Sequence, residues 1–322
     1  MLVRISRLRV IVTGAAGFIG SHLTERLLAD GNDVVGIDSF TDYYARSRKE
    51  ANLEVARASR NFKFHEIDLA EANLAPLLEG AEIIYHLAGQ PGVRPSWGSQ
   101  FDRYVHDNIV ATQRLLEALK GSDLKKLVYA GSSSVYGDAE VFPTSERALP
   151  APLSPYGVTK LAGEHLAYLY WKNFDIPANR VRYFTVYGPR QRPDMGFPKF
   201  MRAIANGETI EVYGDGEQTR EFTYISDAVD GTVRAGEKGQ AGDLYNLGGG
   251  SSVTLNHVFE MLAEVSGKDV KKRHVAPMPG DHRKAGASIT LARQRLHWEP
   301  RVSLKEGLTK QWAWFQATRP PA

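Results

Sequence analysis

Tyr156 and Lys160 stand four residues apart in the run Ser154-Pro155-Tyr156-Gly157-Val158-Thr159-Lys160, a spacing that puts a phenol and an ammonium on one face of a helix. A phenol with its ordinary pKa of about 10 is a poor base at neutral pH, and a neighbouring cation favours its ionised form. Lys160 is the candidate cation, and the pair is a candidate proton acceptor. Alone, Tyr-x-x-x-Lys is more often two residues sharing a solvated helix face, so its meaning rests on what else the chain supplies. Upstream, Gly131-Ser132-Ser133-Ser134-Val135-Tyr136-Gly137 gathers three hydroxyls where an apolar run ends; they serve either turn chemistry or a reacting oxygen. Downstream, Arg190 and Arg192 read either as solvated loop charges or as a fork for a carboxylate. The sequence contains no cysteine, which excludes disulfides, thiolate nucleophiles and cysteine metal sites. Its nine histidines are scattered without metal-ligand spacing.

These groups need a frame. Val10-Ile11-Val12-Thr13 is a short β-branched run followed by Gly14-Ala15-Ala16-Gly17-Phe18-Ile19-Gly20 and a helical pattern through Leu23, Leu27 and Leu28. Glycines allow the tight turn and let the backbone approach a pyrophosphate at the positive end of the helix. Asp33-Val34-Val35-Gly36-Ile37-Asp38 reads as the second strand, and its terminal Asp38 is placed to accept from an adenosine ribose. A carboxylate there would repel a 2′-phosphate, which points to NAD; nearby Arg46, Arg48 and Lys49 keep NADP open. Further strands are expected at 62–68, 83–89, 126–130 and 180–184, alternating with helices. The pattern predicts an α/β fold, a Rossmann-type doubly wound parallel sheet with ligands at the carboxyl ends of its strands. Beyond about residue 190 the alternation loosens, so residues 1–189 are expected to form the NAD-binding domain. Residues 190–322 are expected to form mainly a smaller C-terminal α/β substrate lobe, with segments crossing back. Thr254 is expected to cap a helix over 255–266, and Asp227 is read as a cap for a helix over 228–235.

The glycine spacing with Tyr-x-x-x-Lys resembles the extended short-chain dehydrogenase/reductase family over nearly the whole chain, within it the nucleotide-sugar 4-epimerases and above all those acting on UDP-glucuronate. The resemblance implies a catalytic set of Ser132, Tyr156 and Lys160, with Ser132 chosen by alignment to Val135-Tyr136-Gly137. It implies a tightly bound, regenerated NAD held by Gly14, Gly17, Phe18, Ile19, Gly20, Asp38, Asp68, Leu69, Leu87, Ala88 and Gly89, together with Tyr156 and Lys160. For the sugar nucleotide it implies Arg94, Ser132, Ser133, Ser134, Thr185, Arg192, Arg220 and Arg283. Arg94 and its neighbour Ser96 read equally as solvated loop residues. Thr185 stands where UDP-galactose 4-epimerases usually carry asparagine, and Glu221 where relatives carry aspartate. Related decarboxylases and 4,6-dehydratases carry an acid at the place of Ser134.

The implied reaction is NAD-dependent 4-epimerisation of a UDP-sugar, UDP-glucuronate to UDP-galacturonate through a transient 4-keto sugar. UDP-glucose epimerisation is the alternative, and decarboxylation and a non-catalytic NAD sensor stand behind it. The helix over 108–119 resembles the family's dimer helix, so a homodimer is expected. A net charge of +3 is too balanced to argue for nucleic acid. No apolar run has transmembrane length and no signal-type core opens the chain, so a cytoplasmic protein away from membranes is expected.

Overall fold

The central strands lack polar alternation, and Val10, Ile11 and Val12 are all fully buried; such strands must be covered on both faces. A computed structural model of the chain describes residues 7–276, 284 and 286–318. The order opens with β1 (Arg9–Thr13), α1 (Phe18–Ala29), β2 (Asp33–Asp38), α2 (Arg46–Arg57), β3 (Phe62–Glu66), α3 (Ala75–Leu78) and β4 (Ile83–His86). A broken helix follows, made of α4 (Phe101–Tyr104), the π-helical turn Val105–Val110 and α5 (Ala111–Ala118). Next come β5 (Lys126–Ser132), α6 (Pro155–Phe174), β6 (Ala178–Tyr183) and β7 (Val186–Tyr187). The rest is α7 (Gly196–Asn206), β8 (Ile210–Tyr213), β9 (Thr219–Glu221), β10 (Thr223–Tyr224), α8 (Ile225–Lys238), β11 (Leu244–Leu247), β12 (Ser252–Thr254), α9 (Leu255–Ser266), β13 (Lys272–Val275) and α10 (Leu304–Thr318).

Seven strands form one parallel sheet in the order β11-β6-β5-β4-β1-β2-β3, with the reversal of direction beside β1 that marks a doubly wound fold. Successive residues of β1 serve opposite layers. Val10 and Val12 join the core shared with Leu23 of α1 and Val229 and Val233 of α8, while Ile11 joins that of Leu115 and Leu116 of α5 and Ala167 of α6. Residues beyond 190 therefore return to the first half repeatedly, β10 pairing in parallel with β7 and Ala287 bridging Thr144. α8 covers one face of the sheet, and β11 adds its seventh strand, with Leu244 opposite Arg180 and Leu247 opposite Tyr183. The rest of the C-terminal portion carries two small pairs, β13 parallel to β8 and β12 antiparallel to β9.

Thr254 does cap α9, accepting from the His257 amide at 3.2 Å. Asp227 does not cap α8, which starts two residues earlier at Ile225. Its Oδ2 instead accepts the Arg301 and Val302 amides at 3.0 Å each, tying the segment before α10 to the body.

Candidate active site

The carboxyl ends of β1, β2, β4 and β5 meet at one cleft. Gly14 follows β1 with φ +70°, and a Cβ there would lie 2.9 Å from the Ala88 amide nitrogen, so the turns after β1 and β4 touch main chain to main chain. A Cβ at Gly20 would collide with the Gly14 carbonyl, which fixes how closely α1 approaches the turn. Gly17 caps α1 without a side-chain hydrogen bond, leaving its first amides for an anion. At the end of β2, Asp38 accepts the Ala16 amide at 3.1 Å and the Phe40 amide at 2.9 Å, so it frames the glycine turn as well as lining the cleft. Burial pushes its carboxyl up, with Lys49 and these two amides opposing.

Two of the cations that left NADP open are engaged. Arg46 holds both Glu66 oxygens at 2.7 and 2.6 Å, and Lys49 donates to Thr41 O at 2.8 Å while lying 4.0 Å from Asp38. Every residue expected at the cofactor, from the glycine turn through Asp38, Asp68–Leu69 and Leu87–Gly89 to Tyr156 and Lys160, lines this cavity. The close glycine turn, the uncapped helix end and the strand-end carboxylate fit a dinucleotide.

Ser154 and Pro155 start α6, the serine accepting from the Gly157 amide at 3.1 Å. Tyr156 thus sits in the first turn and Lys160 one turn on, beside β5. Ser132, the last residue of β5, accepts the Ser134 amide at 3.2 Å, which leaves its hydroxyl proton to donate. Burial pushes the Tyr156 phenol up, while a hydrogen bond from Ser132 and the Arg192 guanidinium pull it down. Arg192 thus adds a second cation to the cleft that Tyr156 and Lys160 line together. The Lys160 ammonium lies over the Tyr129 ring at 4.9 Å, and burial lowers its pKa to about 8 against the pull of Glu164.

Two positioning residues escaped the sequence reading. Asn108, buried in the π-helical turn, accepts the Gln90 amide at 2.7 Å and donates to the Gln90 carbonyl at 3.1 Å and to Thr159 Oγ1 at 2.9 Å. Thr159 in turn donates to the Tyr156 carbonyl at 2.9 Å. The turn after β4 is thereby bolted to the helix of Tyr156. His86, fully buried, bridges Thr13 at Nδ1 (2.8 Å) and Thr112 at Nε2 (3.0 Å). Thr112 already donates to the Asn108 carbonyl at 2.7 Å, so Nε2 carries the imidazole proton and Nδ1 accepts from Thr13. Thr13 Oγ1 also accepts the Ala88 amide at 3.1 Å. No spacing rule reveals either residue, because each acts through long-range partners.

On the sugar side, Thr185 lies between β6 and β7, its carbonyl accepting the Thr223 amide at 3.0 Å. Arg192 reaches the cleft and lines it together with Tyr156. Arg190 does not; with φ +65° it turns back to α1 and pairs with Glu25 at 2.7 Å. Ser133 and Ser134 form the 3₁₀ turn that leaves β5. Arg94 is exposed, its guanidinium over the Tyr213 ring of β8 at 5.1 Å, outside the cleft lining. Arg220 lies in β9 and donates to the Thr219 carbonyl at 2.9 Å. The adjoining Glu221 is structural: its carboxylate accepts the Gly250 amide at 2.9 Å and the Ala287 amide at 2.6 Å. Arg283 falls outside the described residues.

A serine-assisted phenol beside a dinucleotide cradle, on a sheet of this order, defines a Rossmann protein built for hydride chemistry of the short-chain dehydrogenase/reductase type. The model of the NAD dependent epimerase/dehydratase family matches residues 10–248, and the chain belongs to that family. It is 43% identical over 312 residues to a Bacillus subtilis (strain 168) protein named as a UDP-glucose epimerase, YtcB, covering 96% of this chain and 98% of that one. It is 38% identical over 308 residues to the UDP-glucuronate 4-epimerase of Thermodesulfobacterium geofontis (strain OPF15), covering 94% and 95%. Among solved structures it is similar to UDP-glucuronic acid 4-epimerase from Bacillus cereus in complex with UDP-glucuronic acid and NAD. There the TM-score is 0.94 at 43% identity, over 97% of this chain and 100% of the other.

Proposed function

We propose that this protein is a UDP-glucuronate 4-epimerase, interconverting UDP-glucuronate and UDP-galacturonate. The observation that carries the reading is Arg192 in the same cleft as Tyr156: a fork suited to a carboxylate stands beside the base, where a neutral hexose needs none. Tyr156 as phenolate takes the proton from the sugar's 4-hydroxyl and later returns it. NAD, held by the glycine turn, Asp38 and Lys160, would supply reversible hydride transfer at carbon 4, which leaves the reaction redox-neutral overall. Ser132 donates to the 4-oxygen, since its own lone pair already accepts the Ser134 amide. Lys160 holds the nicotinamide ribose, Arg220 meets the diphosphate, and Ser133, Ser134 and Thr185 help Arg192 hold the carboxylate.

The 4-keto sugar is a β-keto acid, which loses carbon dioxide when its carbon–carboxylate bond stands perpendicular to the carbonyl plane. Holding the carboxylate near that plane raises the barrier to loss. The test is product analysis after incubation with UDP-glucuronate, and separately with UDP-glucose, without added NAD. UDP-galacturonate as the dominant product is expected; conversion of UDP-glucose alone would overturn the acid-sugar assignment. UDP-glucose 4-epimerisation is the second reading, favoured by the name of the Bacillus subtilis relative.

The protein is further proposed to act in the cytoplasm as a homodimer. Among the described residues no helix is long and apolar enough to cross a membrane. Phe101 of α4, Val110 beside α5, and Tyr168 and Leu169 of α6 are exposed apolar residues on neighbouring helices, which supports a helical dimer face. Light scattering on the eluting protein should give twice the 35.7 kDa chain mass.

A further inference from the structure

Arg192 is not held by the cleft alone. Its Nε and Nη2 donate to Asp194 Oδ1 and Oδ2 at 3.1 Å each, and Asp194 Oδ2 also accepts the Tyr43 hydroxyl at 3.0 Å. A guanidinium can grip a carboxylate along two edges, the side edge of Nε and Nη2 or the end edge of Nη1 and Nη2. Asp194 takes the side edge, so the end edge is the one left for a second carboxylate.

Asp194 is itself anchored from elsewhere. Tyr43 belongs to the loop after β2, the loop that starts from Asp38 at the cofactor end. Its hydroxyl is packed so closely on Gly92, which has φ +99°, that a Cβ there would strike it. Its ring lies 5.7 Å from the Arg192 guanidinium carbon. Burial pushes the Asp194 carboxyl up, but Arg192 and the hydrogen bonds to it prevail and hold it low, so the pair stays charged.

We propose that Asp194 and Tyr43 are the positioning pair that aims the end edge of Arg192 at the carboxylate of an acidic sugar nucleotide. A loop of the cofactor half thereby sets the substrate preference of the sugar half. This rests on the acid-sugar reading above. The opposite arrangement, with Asp194 as a stand-in that the substrate carboxylate must displace, predicts tighter binding once its charge is removed.

The test is steady-state kinetics of the NAD-loaded protein and its Asp194→Asn and Tyr43→Phe variants on UDP-glucuronate and UDP-glucose. Misaiming the fork should raise KM for UDP-glucuronate on the order of tenfold in Asp194→Asn. A smaller rise is expected in Tyr43→Phe, with kcat and the KM for UDP-glucose moving much less in both. A merely structural defect would affect both substrates alike, and that result, or an unchanged KM ratio in both variants, overturns the inference. A lower KM for UDP-glucuronate in Asp194→Asn overturns it in favour of displacement. If the unaltered protein converts UDP-glucose but not UDP-glucuronate, the underlying reading fails as well. Tyr43→Phe keeps the ring and its packing, so the question stays answerable if Asp194→Asn does not fold.

Discussion

Around Gly14, Gly17 and Gly20 the cleft is walled by main chain, and around Arg192 by side chains that reach in from loops. The first wall follows from steric necessity: at Gly14 and Gly20 strand, turn and helix approach so closely that a methyl group has no room. The second follows from a chain of hydrogen bonds, Tyr43 to Asp194 to Arg192, any link of which can change without disturbing the sheet. Main chain presents the same amides whatever the side chains are, so the cofactor wall suits a constant ligand. The sugar wall is where a family that shares one cofactor can vary its substrate.

Changes on each side should break this contrast in different ways. The largest effect belongs to the chemistry common to both walls. Tyr156→Phe should lower turnover of every UDP-sugar by roughly a thousandfold, about 4 kcal/mol, while NAD stays bound; a retained rate would remove Tyr156 as the base. Arg192→Ala should weigh most on the sugar side, cutting kcat/KM for UDP-glucuronate about a hundredfold, with a smaller loss for UDP-glucose because the guanidinium also favours the Tyr156 phenolate. Chromatography of its products should also reveal some decarboxylated sugar, and unchanged kinetics with an unchanged product ratio would sink the carboxylate assignment. Gly20→Ala should do the reverse, costing about 1–3 kcal/mol of stability through overpacking, with loss of bound NAD and equal loss for both sugars. Thermal melting and the nucleotide content of the purified protein measure it.

The smallest effect is one of pH. Burial lowers the His86 pKa from 6.5 to about 3, so between those values the unfolded chain binds a proton that the folded chain refuses. Its contribution is therefore complete above pH 6.5 and is lost as pH falls, by up to about 1.4 kcal/mol per unit. Replacing His86 with Gln removes that titration. Denaturant unfolding at pH 7 and 5 should show a shallower acid decline in the variant, and parallel declines would refute the assignment.

The cofactor wall was also the legible one. β2 ends at Asp38 as the sequence reading expects, the glycine turn, Tyr156 and Lys160 line one cleft, and Ser132 hydrogen-bonds Tyr156 beside it, because each follows from local spacing and strand ends. The sugar wall was legible only in its residue types. Arg190 and Arg192 are alike in residue type and only the resemblance singled out Arg192; the positive φ of Arg190 sends it to Glu25 while Arg192 enters the cleft. Glu221 and Asp227 took structural tasks because their partners, Gly250 with Ala287 and Arg301 with Val302, lie far along the chain. The ammonium of Lys160 came to rest on Tyr129, since a helical face brings side chains to a neighbourhood without dictating where their tips settle.

The return of β11 to the edge of the main sheet bears on how such proteins can be recombined. A single cut near residue 190 would leave β6 with a bare edge and strip α8 from one face, exposing apolar surface and unpaired amides together. The substrate lobe is therefore not a cassette to be exchanged at one junction. A chimera with a relative of different sugar preference needs α8 and β11 to travel with the sheet, and only the segments before α8 and after β11 to be swapped.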